Sequence, residues 1–466
     1  MKSGVMMMNA LWRILVLVLT AFVGASAGYA QASPSAAKLS DCEKEINRAK
    51  VEWARSEHTW VESELHTQSL ETKQTWCRIW ATKDGPRFHN TEDFGRKLFT
   101  GEGVHPVVGS IVPNSGIAGG LALNLDYAAK SPQVRFSESM EARGSANGFW
   151  LAGGSLNLLG SARRSDNRHI DVTISAVHRS LTQLPYFGIG NTSALANQTL
   201  FGLTDTTVKA KGALPLPRGF QLLGVAEGLW ASPQGFHGST IPSIEQVFTP
   251  ANTPALQIST GYFVYGTGIY WEHPVDECME CWYKTDFSAT IREYHEATGL
   301  PYSFRRLDIA WTQAFDLDFR SNVTVGTLSV TGRLVESVAT GGDQVPFYLQ
   351  PTIGGTDIDN VDVVRSYRDY RFRAPHVLAF KAEYTRSIKD PLGVLLFYDV
   401  GKVAAARGDL DFTHMKHSFG AGFTLRVGNL PWFKLYYAWA GPEGSHTTYT
   451  GNTNNFTLGS DLRGIF

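Results

Sequence analysis

Between Lys416 and Gly428 every second residue is apolar. Phe419, Ala421, Phe423, Leu425 and Val427 make one set, and Ser418, Gly420, Gly422, Thr424 and Arg426 make the other. A period of two is the period of a β-strand, so this segment carries one greasy and one polar face. The same reading applies to the segment 372–388, where Leu378, Phe380, Ala382 and Tyr384 alternate with Ala379, Lys381, Glu383 and Thr385. Fifteen strand-like segments of this kind fall between Gly116 and Phe466, with a further short one expected before Gly116 or around Pro346.

After the first thirty residues no apolar run is long enough for a spanning helix. If the chain crosses a membrane it does so as a closed sheet, because lipid leaves no other way to pair the backbone. A soluble sandwich shows the same alternation with its faces exchanged. Three features favour the membrane: the number of strand segments and the two chain ends. The expectation is an all-β fold, a sixteen-stranded antiparallel transmembrane β-barrel over 111–466, because such barrels have even strand counts.

Residues 1–32 read as a secretory signal. Lys2 and Arg13 give the charge, Ile14 to Ala25 the apolar core, and Ala25-Ser26-Ala27 or Ala30-Gln31-Ala32 the cleavage site. At the other end Phe456, Leu458, Leu462 and Phe466 share a face, and Phe466 is the final residue. A closing phenylalanine resembles the assembly signal of bacterial outer-membrane barrels. Residues 33–110 form a short, mainly helical periplasmic segment. Ile46, Trp53, Trp60, Leu65, Trp76 and Ile79 recur there at roughly helical spacing.

Cys42 and Cys77 flank that segment, and an exported chain could join them as a disulfide or leave two thiols. Cys278 and Cys281 form a C-x-x-C between two strand-like runs. No further ligand accompanies them, so a local disulfide is the stronger reading and no metal or cofactor is expected.

One stretch breaks the strand period. Gly354-Gly355 is followed by Val364-Arg365-Ser366-Tyr367, with Arg368 and Arg371 close behind, and then by two clean strands. Each strand carries one acid on its polar side, Glu383 and Asp399, and a charge facing lipid is costly. Two inward acids on neighbouring strands suit one guanidinium.

These residues resemble the bacterial surface antigen superfamily, the BamA/TamA-type insertases and two-partner-secretion transporters. The resemblance is specific from about Pro346 to Phe466. It implies a loop, about 339–371, that folds back into the barrel, with Arg365 docked on the wall acids Glu383 and Asp399. Ser366 stands where that family has a glycine. The resemblance implies work in outer-membrane protein assembly, insertion or translocation, with outer-membrane lipid and client proteins or periplasmic partners as its contacts.

Residues 33–110 lack the strand–helix–helix–strand order of a POTRA domain. The alternatives are therefore a passive pore or structural barrel and, third, an outer-membrane hydrolase. No G-x-S-x-G or H-E-x-x-H occurs, so no enzyme is expected. His414 and His417 read as a solvated loop rather than a metal site. A net charge of -1 gives no reason to expect nucleic acid.

Overall fold

The computed structural model describes residues 103–128, 134–161, 169–273, 283–317, 326–358, 361–389, 392–427, 430–440 and 447–452. All belong to one compact unit, His89–Phe466. The signal segment, the helical segment, Cys42, Cys77, Cys278, Cys281 and Phe466 lie outside the described residues.

Sixteen strands join in a single antiparallel sheet in which every strand pairs with its neighbour in sequence, apart from one insertion. They are β1 (Gly103–Gly109), β2 (Ala118–Ala128), β3 (Val134–Ser145), β4 (Trp150–Ser161), β5 (His169–Tyr186), β6 (Thr199–Pro215), β7 (Phe220–Gly235), β8 (Thr260–His273), β9 (Tyr283–Glu296), β10 (Phe304–Asp316) and β11 (Gly326–Val338). After the insertion come β14 (His376–Lys389), β15 (Leu392–Ala404), β16 (Lys416–Val427), β17 (Leu430–Ala440) and β18 (Thr447–Asn452). The inserted β12 (Thr352–Ile353) and β13 (Phe372–Arg373) form a separate two-stranded ribbon.

The described residues therefore hold two strands besides the sixteen of the sheet, and two expectations need correction. The sheet begins at Gly103, inside the span assigned to the periplasmic segment. Phe372 and Arg373, read as the opening of a long strand, pair instead with Ile353 and Thr352. Pro375 separates the two, since proline has no N–H to give the ladder.

The two faces of the sheet differ in kind. Leu378, Phe380, Leu396, Tyr398, Phe419, Phe423 and Leu435 lie on one side by register, with Trp311, Phe263 and Ile174 on the same side further along. Eight of these ten are among the large apolar residues most open to the surroundings. The opposite, covered face is polar. Cross-strand pairs line it: Arg179 with Asp205 at 3.0 Å, Lys209 with Glu227 at 3.1 Å and Arg333 with Asp308 at 2.9 Å.

Connections differ by end. The β5–β6, β7–β8 and β11–β14 connections (187–198, 236–259 and 339–375) lie at one end, and the β6–β7, β14–β15 and β16–β17 turns at the other. The long connections pack together across the covered face. Tyr186 meets Phe248 and Phe347 at ring distances of 4.8 and 5.1 Å, and Phe201 meets Phe347 at 4.9 Å. Ile244, Leu256, Tyr348 and Tyr370 complete this buried apolar cluster.

Candidate functional site

The 339–375 connection is shaped by backbone that only certain residues allow. Gly354 and Gly355 have φ of 105° and 58°, a left-handed region that side chains disfavour. A Cβ on Gly354 would lie 2.6 Å from the Cβ of Arg371, and one on Gly355 2.1 Å from Asp369 Oδ1. The glycine pair thus lets 354–355 lie against 368–371. The Gly354 N–H donates to Val363 O (2.9 Å), and the Val363 N–H returns a bond to Gly355 O (3.0 Å). A turn follows, closed by the Tyr367 N–H on Val364 O at 3.1 Å, with Val364 itself at φ 56°. Ser366 is not among the residues of positive φ, so the position does not require a glycine. Its N–H donates to Ser418 Oγ on β16 at 3.0 Å.

The turn points Arg365 at the wall. Its Nε and Nη2 donate to Asp399 Oδ2 and Oδ1, both at 2.8 Å, and its backbone N–H reaches Oδ2 at 3.2 Å. Nη1 donates to Glu383 Oε2 at 2.6 Å. Lys434 on β17 donates to the other Glu383 oxygen at 2.8 Å. Two cations thus meet two carboxylates, and the charge closes locally. The fork of the guanidinium matches the planar carboxylate of Asp399, the geometry in which such pairs are strongest. Burial of Arg365 opposes its charge, but the hydrogen bonds and charges of Asp399 and Glu383 outweigh it and raise its pKa.

Aromatic rings complete the seat. The guanidinium carbon lies 3.6 Å from the Phe397 ring centroid and 5.6 Å from that of Tyr436. Glycines make the room. A Cβ on Gly420 would come within 2.4 Å of Phe397, and one on Gly422 within 2.5 Å of the Tyr436 Cβ. On Gly401 it would meet Ile353 and Val364 at 3.2 Å, so the loop lies directly on β15.

The neighbouring arginines bind elsewhere. Arg368 donates to Gln198 Oε1 (2.6 Å) and Arg371 to Ser193 Oγ (2.8 Å), both on the 187–198 connection. Arg373 is buried and donates to Phe347 O at 2.7 Å, and burial pulls its pKa down to about 10. Asp369 accepts the Thr356 N–H at 2.8 Å, yet burial pushes its carboxyl up to about 6.

The structure brings Arg365, Glu383 and Asp399 into one cluster, with Val364, Ser366 and Tyr367 forming the turn and Gly354 and Gly355 its support. Lys434, Ser418, Phe397 and Tyr436 were missed by sequence reasoning. Lys434 carried a signal, since it is the one charged residue in the sequence 430–440. His417 Nδ1 lies 2.6 Å from the Tyr398 hydroxyl. Among the described residues no group of three or more His, Cys, Asp or Glu is placed to hold a metal ion. The cluster is built to hold a loop, since both carboxylates are fully engaged by cations.

No protein-family model matches the chain, and no curated protein sequence matches it. Solved structures similar to it include BamA from Haemophilus ducreyi lacking POTRA domains 1–3, at TM-score 0.49 and 11% identity over 74% of this chain and 68% of that one. CdiB from Escherichia coli gives 0.43 and 12%, over 75% and 60%, and CdiB from Acinetobacter baumannii 0.41 and 10%, over 72% and 55%. The chain spans less than two thirds of the length of either CdiB.

Proposed function

We propose that this chain is an integral outer-membrane β-barrel of the surface-antigen type, closed by its edge strands β1 and β18, that assembles, inserts or translocates other proteins. The observation that carries the membrane reading is the inverted polarity of the sheet. Leu396, Phe419 and Phe423 are 51%, 52% and 55% exposed, while Asp399 and Ser418 on the opposite face are at 0%. A water-soluble sheet buries its apolar side; lipid demands the reverse. The long connections at one end and short turns at the other fit the outer and periplasmic sides of such a barrel. An even number of strands in the sheet brings its first and last strands to the short-turn end.

In this reading the 339–375 connection is the loop folded into the lumen, and the Arg365 cluster fixes it there without reacting. The working part is the seam between β1 and β18. β1 has 7 residues, against 11 in its neighbour β2. A weakly held edge can accept a client strand by β-augmentation. The contacts implied are outer-membrane lipid and unfolded client barrels.

The test is reconstitution into liposomes with an assay for assembly of a small test barrel. Accelerated assembly supports the reading. Ion conductance without assembly replaces it with a passive pore, and a chain that stays soluble without detergent ends both.

A further inference from the structure

We propose that the β15–β16 connection, residues 405–415, is a flap folded over the exposed apolar face that seats Phe412 in the outer leaflet, at the boundary of headgroups and acyl chains. The proposal rests on the barrel reading, which makes that face the lipid side.

The flap is placed by three contacts, all with residues of the exposed face. Arg407 Nε donates to Glu336 Oε1 on β11 at 3.0 Å. Lys402 donates its Nζ proton to Asp411 Oδ1. Phe412 stacks on Phe380 of β14, with ring centroids 6.0 Å apart and planes at 22°. The register puts these partners on one side: Phe380 faces Val400 and Gly332, and Leu378 faces Lys402.

Lys402 explains why the connection folds outward. An amine beside Leu378, Phe380 and Val400 would face hydrocarbon alone, which is unfavourable for a lysine on a barrel's lipid side. Asp411 covers and neutralises it, and also accepts the N–H and hydroxyl of Thr413 at 2.9 and 2.7 Å. Phe412 lies on Phe380, whose ring covers the notch at Gly332 beside Trp311.

Phe412 remains 74% exposed, next to a ladder of exposed rings. Loop tips in water favour small or polar residues. A large aromatic held by two ion pairs against the lipid-facing wall fits the interface, where aromatic side chains gather on membrane proteins. Arg407 sets its Nε on Glu336 and leaves the rest of its 73% exposed side chain at the level of the headgroups. Arg407, the flap's arginine, already has Glu336 as a partner, and the aromatic surface continues that of the wall. Lipid therefore suits the site better than an acidic protein partner.

The experiment uses the full chain in liposomes, with Cys42, Cys77, Cys278 and Cys281 replaced by serine and one labelling site added. An environment-sensitive fluorophore at F412C is challenged with brominated acyl chains and with aqueous iodide. Folding is checked by heat-modifiable gel mobility, and a second probe at L396C reports the wall itself. The expected result is blue-shifted emission at both sites, with quenching by bromolipid several-fold stronger than by iodide. If 396 is quenched by bromolipid while 412 answers only to iodide, the flap is overturned and the barrel stands. If 396 also answers only to iodide, the barrel reading falls first. A 412 probe reached by neither quencher is covered by a second copy, which also overturns the proposal. Asp411→Asn should shift the 412 probe several-fold toward iodide; no shift removes the ion pair from its role.

Discussion

Lys434 on β17 and Arg365 in the loop hold opposite oxygens of the same carboxylate, Glu383, at 2.8 and 2.6 Å. The acid is therefore a bridge between the loop and a strand near the end of the sheet. Removing Lys434 leaves Arg365 facing two carboxylates, and removing Glu383 strands Lys434. Lys434→Met and Glu383→Gln should each lower the heat resistance of the folded band on gels. The double variant should cost less than the sum, with coupling of about 0.5–3 kcal/mol for groups in one network. Strict additivity would show that the bridge carries no energy.

Arg365→Ala removes a cation from between two buried acids. The cost for breaking such a pair is about 3–5 kcal/mol, because the partner charge is left uncompensated. Arg365→Lys should not restore it, since an ammonium cannot take both Asp399 oxygens in a planar fork. Heat resistance should fall in Arg365→Ala and Asp399→Asn, and conductance should rise as the loop loosens. If both variants keep wild-type stability and conductance, the loop is not held by this pair.

The strand pattern was readable because a sheet with one greasy and one polar face writes its period into the sequence. Fourteen segments drawn from that period each overlap a strand of the sheet. The short strand β1 was expected only from the even count, before Gly116 or around Pro346, because its period is faint: Pro106 sits on its apolar side and His105 and Val107 on the other. The cluster was readable in its charges, which the period assigns to a side. Its rings and glycines were not, because the fit of Phe397 over Gly420 depends on which strands are neighbours. The ribbon of β12 and β13 was hidden for the same reason. Two residues on each side leave no period, and their pairing is set by a turn built at the glycine pair and 363–367.

Gly354 and Gly355 should be the least replaceable loop residues. Alanine at 355 would meet Asp369 atoms at 2.1 to 2.9 Å in a backbone that side chains already resist. Gly355→Ala should undock the loop to a degree comparable with Arg365→Ala, while Gly341→Ala, with open space around it, should be milder. Limited proteolysis between 339 and 375 reads the difference. Equal resistance in all three variants would show that the glycine pair does not shape the loop.

Arg373 makes the opposite prediction to Arg365. It is 5% exposed and donates to the carbonyls of Phe347 and Gln350, and no carboxylate among the described residues is hydrogen-bonded to it. Its Nε has no partner among the described residues. Burying a charge without a paired carboxylate is costly, and an apolar side chain of similar volume removes that cost at the expense of two hydrogen bonds to carbonyls. Arg373→Met should hold or raise the unfolding temperature. A fall as large as that of Arg365→Met would mean that the two carbonyl bonds outweigh the buried charge.

Asp369 gives the loop a dependence on pH. Burial is the main reason its carboxyl titrates near 6 instead of 3.8; the nearby Asp362 adds to it, while the Thr356 N–H and the Asn114 side chain work against it. A pKa raised by folding means the folded chain prefers the proton. The stabilisation is complete below about pH 4 and is lost as pH rises through 6, where the buried carboxylate must ionise. A shift of this size corresponds to about 3 kcal/mol at most. Other groups titrate in the same range, so the measurement is the difference between wild type and Asp369→Asn in unfolding temperature from pH 4.5 to 7.5. Wild type should lose ground to the variant as pH rises and level off above about pH 7. A difference that is flat, or that runs the other way, would show that Asp369 ionises freely in the folded loop.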